Sequence, residues 1–263
     1  NVKLLQILYA AFEARDENNV TPVFDLKPFL DLMDWSYGVY EFVNNGNSKE
    51  FRKLLSEAHK SGDRFETRIK AQKLGAAGLF LEGLSNAMSI VNVNDTLINA
   101  EKFKKVLPEI TTDTENINKA KPFGMLLDKV KQRVDKLGKP YTEKEGERFI
   151  ESNLEILKWY IETEQYQQAA TIMREVFVTA NCINIGVNPY EKGKREEIEY
   201  KINSNIKKLQ AGEQISSEET KEANLFNNLG ILRNGINHAG MNKEGLKING
   251  TNQIKRIKKY FAE

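Results

Sequence analysis

From residue 26 to the end of the chain the apolar residues recur at spacings of three and four, the period of an α-helix. A chain patterned in this way buries its apolar stripes by packing helix on helix. The spacing predicts helices over 26–45, 49–60, a long stretch from about Arg64 to Asn92, then 96–106, 118–137, 143–163, 166–183, 191–209, 217–238 and 251–262. Asp25 and Ser48 stand where N-caps are wanted, and Gly46 and Gly62 where helices stop. Only the start departs from the pattern. "VKLLQILYAAFEA" (2–14) suits either a buried strand followed by a turn or a helix, and "TPVFDL" (21–26) is extended because Pro22 disfavours helix at Thr21. The expected fold class is mainly all-α, a multi-helix domain with a remnant strand at the N-terminus.

Helices 143–163 and 166–183 read as an antiparallel hairpin jointed near Glu164. No repeat of fixed period follows it, so a solenoid is excluded. Gly75, Gly78 and Gly83 would each cost roughly 1 kcal/mol inside a helix. They read as points of close helix–helix contact, since no GK[ST] follows to make a phosphate loop.

Composition narrows the function classes. Charged residues make up 29% of the 263, yet the formal charge is only +2, so any basic footprint for nucleic acid must be local. One cysteine, Cys182, allows no intrachain disulfide and fits a reduced, cytoplasmic setting. With two histidines besides, a zinc site within one chain is not expected. No apolar run has the length of a membrane span and no signal peptide opens the chain, so no membrane partner is expected. The chain opens on Asn1, which predicts a piece of a longer polypeptide.

Several polar groupings have ordinary structural readings. Asp31 and Asp34 share a helix face and could hold magnesium, but acidic residues are favoured in a first helical turn anyway. His59 sits near a helix end, where a histidine is at home. Lys102, Lys104 and Lys105, then Lys129, Lys131, Arg133 and Lys136, read as solvated helix faces. The last cluster, Lys255, Arg256, Lys258 and Lys259, lies opposite Ile254, Ile257 and Phe261, and is the best candidate to track RNA phosphates.

The most informative stretch is "LFNNLGILRNGINHAGMN" (225–242). Phe226, Leu229, Leu232 and Ile236 form its apolar stripe. On its flanks, Arg233 with Asn237 and Asn234 with His238 make two adjacent i,i+4 pairs. Arg233 and His238 stand about 140° apart around the axis, so a single copy converges poorly. Two copies across a two-fold axis would pool two arginines and two histidines in one cleft. Such a cleft has no Ser or Cys nucleophile and suits a substrate that brings its own, as RNA does with its 2′-hydroxyl. Histidine would move the proton, and arginine would meet the charge developing at phosphorus. The bland reading is two exposed polar residues at a helix end.

Beyond this motif, four segments carry a resemblance: "AAFEARDENNVTPVFDLKPFLDLMDWSYGVYEF" (10–42), "PFGMLLDKV" (122–130), "NLEILKWYIETEQYQQAATIMREVFV" (153–178) and "LRNGINHAG" (232–240). They resemble the HEPN domain, whose active sites carry R-x(4–6)-H, often with a polar residue after the arginine. More specifically, they resemble the helical effector half of the CRISPR-associated CARF–HEPN ribonucleases of type III systems. The resemblance implies a homodimer with a composite active site and metal-independent endoribonuclease activity, without a cofactor, on single-stranded RNA. It also implies activation by cyclic oligoadenylate bound to a CARF domain. A sensing domain of that kind needs on the order of 100 residues. Residues 1–20 are accordingly expected to be only the end of the CARF domain and a linker, with 21–263 the HEPN effector domain. Arg233 and His238 take the phosphate and the proton. Asn234 orients His238 or the substrate, and Asn237 bonds Arg233 or the substrate. Two rival readings remain, a HEPN fold kept for dimerisation or RNA binding without catalysis, and the ribonuclease toxin of a toxin–antitoxin pair.

Overall fold

A computed structural model describes residues 6–61, 72–241 and 249–262. The chain divides into two compact units. The first is Asn1–Ser85 with Lys102–Val134, and the second is Asn86–Glu101 with Asp135–Glu263. The described residues are mainly α-helical, with a single two-stranded sheet among them.

In the first unit the ambiguous start resolves as strand and turn. Strand β1 (Leu8–Ala10) pairs antiparallel with β2 (Val23–Asp25), Tyr9 opposite Phe24, and a 3-10 turn, Phe12–Ala14, follows β1. There are thus two strands where one was expected, and the extended 21–26 stretch supplies the second. Helix α1 (Lys27–Asn45) begins one residue later than predicted. Leu26 holds the N-cap position, and Asp25 Oδ1 reaches past it to accept the Lys27 N–H at 2.9 Å. At the far end Gly46 takes the left-handed conformation (φ 69°), and its N–H closes on the Phe42 carbonyl. Ser48 does stand at the N-cap of α2 (Lys49–Lys60), but its side chain does not cap. Asn47 Oδ1 accepts the Lys49 N–H instead, at 3.1 Å.

Aromatic rings fill the centre of this unit. Trp35 stacks on Phe123 at 5.2 Å, and Phe51 meets Phe123 edge-on at 5.1 Å. The Trp35 indole N–H donates to the Lys119 carbonyl at 3.0 Å, so the ring is buried without an orphaned donor. In α3 (Gln72–Ser89) a Cβ on Gly75 would stand 3.3 Å from the His59 ring, and one on Gly78 would stand 3.0 Å from Arg52 Cδ. Both glycines are the close contacts with α2 that their spacing suggested. Gly62 and Arg64, the expected end of one helix and start of the next, lie outside the described residues. Helix α4 (Val93–Asn116) runs ten residues beyond its expected end at 106, because Pro108 is accommodated within it. A 3-10 turn (Asn118–Ala120) then precedes α5 (Lys121–Asp135), where one continuous helix from 118 was expected.

In the second unit α6 (Gly146–Glu162) and α7 (Tyr166–Asn184) form the predicted hairpin. Glu164 makes the joint at φ 57°, and the Gln165 N–H returns to the Tyr160 carbonyl at 2.8 Å. Helices α8 (Lys192–Gln210), α9 (Ser217–Asn237) and α10 (Gly250–Ala262) follow, and α7 packs against α6, α8, α9 and α10. Val178, Cys182, Ile198, Ile202 and Phe226 form one core between α7, α8 and α9. The buried Tyr160 hydroxyl donates to the Met88 carbonyl at 2.6 Å, and burial pushes its pKa up. No helix among the described residues is long and apolar enough to cross a membrane.

Candidate functional site

Helix α9 starts with a complete capping box. The Ser216 hydroxyl accepts the Glu219 N–H, and the Glu219 carboxylate accepts the Ser216 N–H in return. Its apolar stripe goes where the sequence sends it, with Phe226, Leu229 and Leu232 buried. Gly235 is buried beside them, so the last turns lie close against the fold.

The helix then stops at the motif itself. His238 is the C-cap residue. The Ala239 N–H bonds to the Ile236 carbonyl and the Gly240 N–H to the Gly235 carbonyl at 2.9 Å, the paired bonds of a Schellman motif. Ala239 therefore occupies the left-handed position, at φ 52°, which usually belongs to glycine. This termination leaves Asn234, Asn237 and His238 exposed on the last turn.

Arg233 is half-buried, and its Nε is enclosed without a hydrogen-bond partner. Among the described residues its guanidinium makes no ion pair and no hydrogen bond. An unpaired cation inside a fold is costly, and orphaned buried donors are rare in proteins. The pairing of Arg233 with Asn237 does not form. Asn237 lies instead 3.3 Å from Thr171 Oγ1, across on α7. That hydroxyl has one proton and gives it to the Gln167 carbonyl at 2.9 Å. The contact is therefore satisfied when the Asn237 amide turns its NH2 toward Oγ1. Asn234 and His238 are joined through the backbone, His238 N–H to Asn234 O at 3.0 Å.

The basic helix α10 packs against both α9 and α7. Ile257 is fully buried, while Lys255, Arg256, Lys258 and Lys259 are exposed. The Lys258 ammonium sits 5.6 Å from the centre of the Tyr166 ring, at the start of α7. The opposition of apolar and basic faces read from the sequence is thus present. Of the other polar groupings, Asp31 is held by Lys27 at 2.8 Å, and no cluster of metal-ligating side chains occurs among the described residues.

Two features escaped the sequence reading. A chain of charges, Glu199–Arg174–Glu175–Arg195, ties α7 to α8 with closest approaches of 2.7, 3.3 and 2.7 Å. Only its Arg174–Glu175 link joins sequence neighbours; the other two join residues 20 and 25 apart. Next to it lies a cleft of about 430 Å³, whose wall includes Asn94, Asn153, Thr171, Glu175, Tyr190 and Arg195. Its residues come from four separate stretches of sequence, so no local pattern announces it.

Residues 31–144 match the model of the family described as CRISPR-associated protein MJ1674, second domain. Over 263 residues the chain is 25% identical to the CRISPR-associated protein MJ1674 of Methanocaldococcus jannaschii, an alignment covering 98% of this chain and 36% of that relative. The chain therefore spans 36% of the length of the relative it matches. By both comparisons it is similar to CRISPR-associated proteins. The RNGINH motif lies beyond the stretch matched by the family model, in a part of the chain that only the alignment with the relative covers.

Proposed function

We propose that the chain is the effector part of a HEPN-type endoribonuclease, working as a homodimer, and that Arg233 and His238 are one half of its active site. The observation that carries this reading is the half-buried Arg233 guanidinium, enclosed at Nε with no partner among the described residues, on the turn before an exposed histidine. A fold tolerates such a cation when something else completes it, and a phosphodiester has the matching geometry. The similarity to CRISPR-associated proteins favours a place in antiviral defence over a toxin–antitoxin pair.

In this mechanism His238 takes the proton of a ribose 2′-hydroxyl. The 2′-oxygen attacks phosphorus, the bond from phosphorus to the 5′-oxygen breaks, and the leaving 5′-oxygen collects a proton from the second histidine of the dimer. The products are a 2′,3′-cyclic phosphate and a 5′-hydroxyl. Arg233 meets the negative charge that grows on the phosphoryl oxygens. Asn234 orients His238 or the substrate. Asn237, bonded to Thr171, positions the last turn of α9. Lys255, Arg256, Lys258 and Lys259 hold the flanking phosphates. By the resemblance to CARF–HEPN ribonucleases, cyclic oligoadenylate bound to a CARF domain would govern the dimer.

Incubation of dimeric protein with single-stranded RNA in EDTA tests this. Cleavage is expected to persist in chelator, to spare the matching DNA, and to fall about 10²–10⁴-fold in His238→Ala, which stays folded and dimeric. Cleavage that vanishes in EDTA, or that attacks DNA equally, contradicts the reading. RNA binding without cleavage, unchanged in Arg233→Ala, would instead favour a non-catalytic HEPN module.

A further inference from the structure

The cleft beside α9 lies wholly within the second unit. Its walls are largely apolar, with Val93, Phe149 and Ile172 among them, and a few polar atoms converge on it. That is the make-up of a small-molecule or base-binding pocket, and about 430 Å³ lies in the usual size range.

The polar atoms are specific. Asn153 is 96% buried, at 4% exposure. Its Nδ2 donates to the Phe149 carbonyl at 2.6 Å, which fixes the amide orientation and leaves Oδ1 as an acceptor with no donor among the described residues. An amide oxygen left without a donor on a cleft wall can accept an N–H from whatever fills the cleft. Opposite in character is Asn94. Its Oδ1 accepts from the Tyr190 hydroxyl at 3.2 Å, so its NH2 remains to donate. Tyr190 itself packs edge-on to Phe149 and Tyr141, which makes one end of the cleft aromatic. Lys192, 88% exposed in its side chain, adds a cation from the cleft's edge.

The cleft also adjoins the motif. Thr171 is on its wall and contacts Asn237, the residue before His238. We infer that this cleft is a base subsite for RNA, which takes an unpaired nucleobase bearing an exocyclic amine and disfavours uracil. The amine donates to Asn153 Oδ1, a ring or carbonyl acceptor takes an Asn94 N–H, and Lys192 meets the phosphate leading out. The aromatic end suits the π-face of any base. The lone acceptor selects among them by position, because where cytosine carries its C4 amine uracil presents a carbonyl oxygen, which cannot donate. The inference rests on the nuclease reading for its substrate, but not for its measurement.

Binding without turnover separates the two. Fluorescence anisotropy of the His238→Ala chain with labelled oligo(C) and oligo(U) should show about five- to tenfold tighter binding of oligo(C), the worth of one satisfied hydrogen bond. Asn153→Leu should abolish the difference. Should that variant fail to fold, Val93→Trp, which fills the cleft from a half-buried position and removes no buried polar group, should abolish it equally. Equal affinity for the two homopolymers, no RNA binding, or a preference that survives Val93→Trp overturns the inference. Cleavage by the unsubstituted protein is read separately. Cleavage without base preference would sink the subsite and leave the nuclease standing. Base-selective binding without cleavage would do the reverse.

Discussion

Arg233 sets a stability cost against a function. Its Nε is enclosed with no partner among the described residues, and a buried unpaired polar group usually destabilises by ~1–3 kcal/mol. Arg233→Met keeps the length of the side chain and removes the charge. It should leave the melting temperature unchanged or raise it, while cleavage drops by about 10²–10³-fold. A fall in melting temperature of several degrees would mean that the guanidinium is paired in solution and is structural. At this scale the sequence was partly legible. The apolar positions of α9 could be read from spacing alone, because burial follows the period of the helix. The partners of the polar positions could not. The Asn237 amide found Thr171 on another helix, 66 residues away in sequence, rather than Arg233 four residues back. Pairing by i,i+4 spacing ignores whatever the tertiary fold brings closer. The place of the Asn153 amide on the cleft wall was invisible for the same reason.

The helices were legible as elements, and their ends less so. Asp25 and Ser48 were placed at caps by residue type, yet the Leu26 cap has no side-chain bond and Asn47 serves in place of Ser48. Cap positions are shared among neighbouring Asx and Ser residues, and local geometry decides between them. Helix α4 passes its expected end at 106 and carries Pro108 within it, since a long helix can absorb one proline at the cost of a backbone hydrogen bond. Two element-scale predictions follow from the ends of α9. Ala239 takes a left-handed conformation, so Ala239→Gly should stabilise by about 0.5–1 kcal/mol in urea unfolding. At the other end, hydrogen bonds from the Ser216 hydroxyl and N–H hold the Glu219 carboxyl below its ordinary value of 4.5. A carboxyl lowered in the folded state contributes stability above its unfolded value and loses it as the pH falls through its folded value. The gap in melting temperature between the protein and Glu219→Ala should therefore be widest near neutral pH and shrink under acid. A gap that is constant with pH would argue against a charged capping box.

At the scale of the whole molecule the proposed site needs a second copy of the chain to complete it. The chain spans 36% of the relative it matches, and neither Arg233 nor His238 falls within the stretch matched by the family model. The basic face of α10 gives this scale its own test. If Lys255 and Lys259 contact phosphates, the double substitution to glutamine should lower the slope of log affinity against log salt by about 1.4, near 0.7 per contact on single-stranded nucleic acid. An unchanged slope would return α10 to a solvated helix face. The central claim, that RNGINH is half of a phosphodiester-cleaving site, is tested most directly by the products formed from a single-stranded RNA in EDTA. The account predicts fragments ending in 2′,3′-cyclic phosphate, formed by dimeric protein and lost together in Arg233→Ala and His238→Ala. Intact RNA after incubation with the folded dimer, or cyclic-phosphate products that persist in His238→Ala, would contradict it.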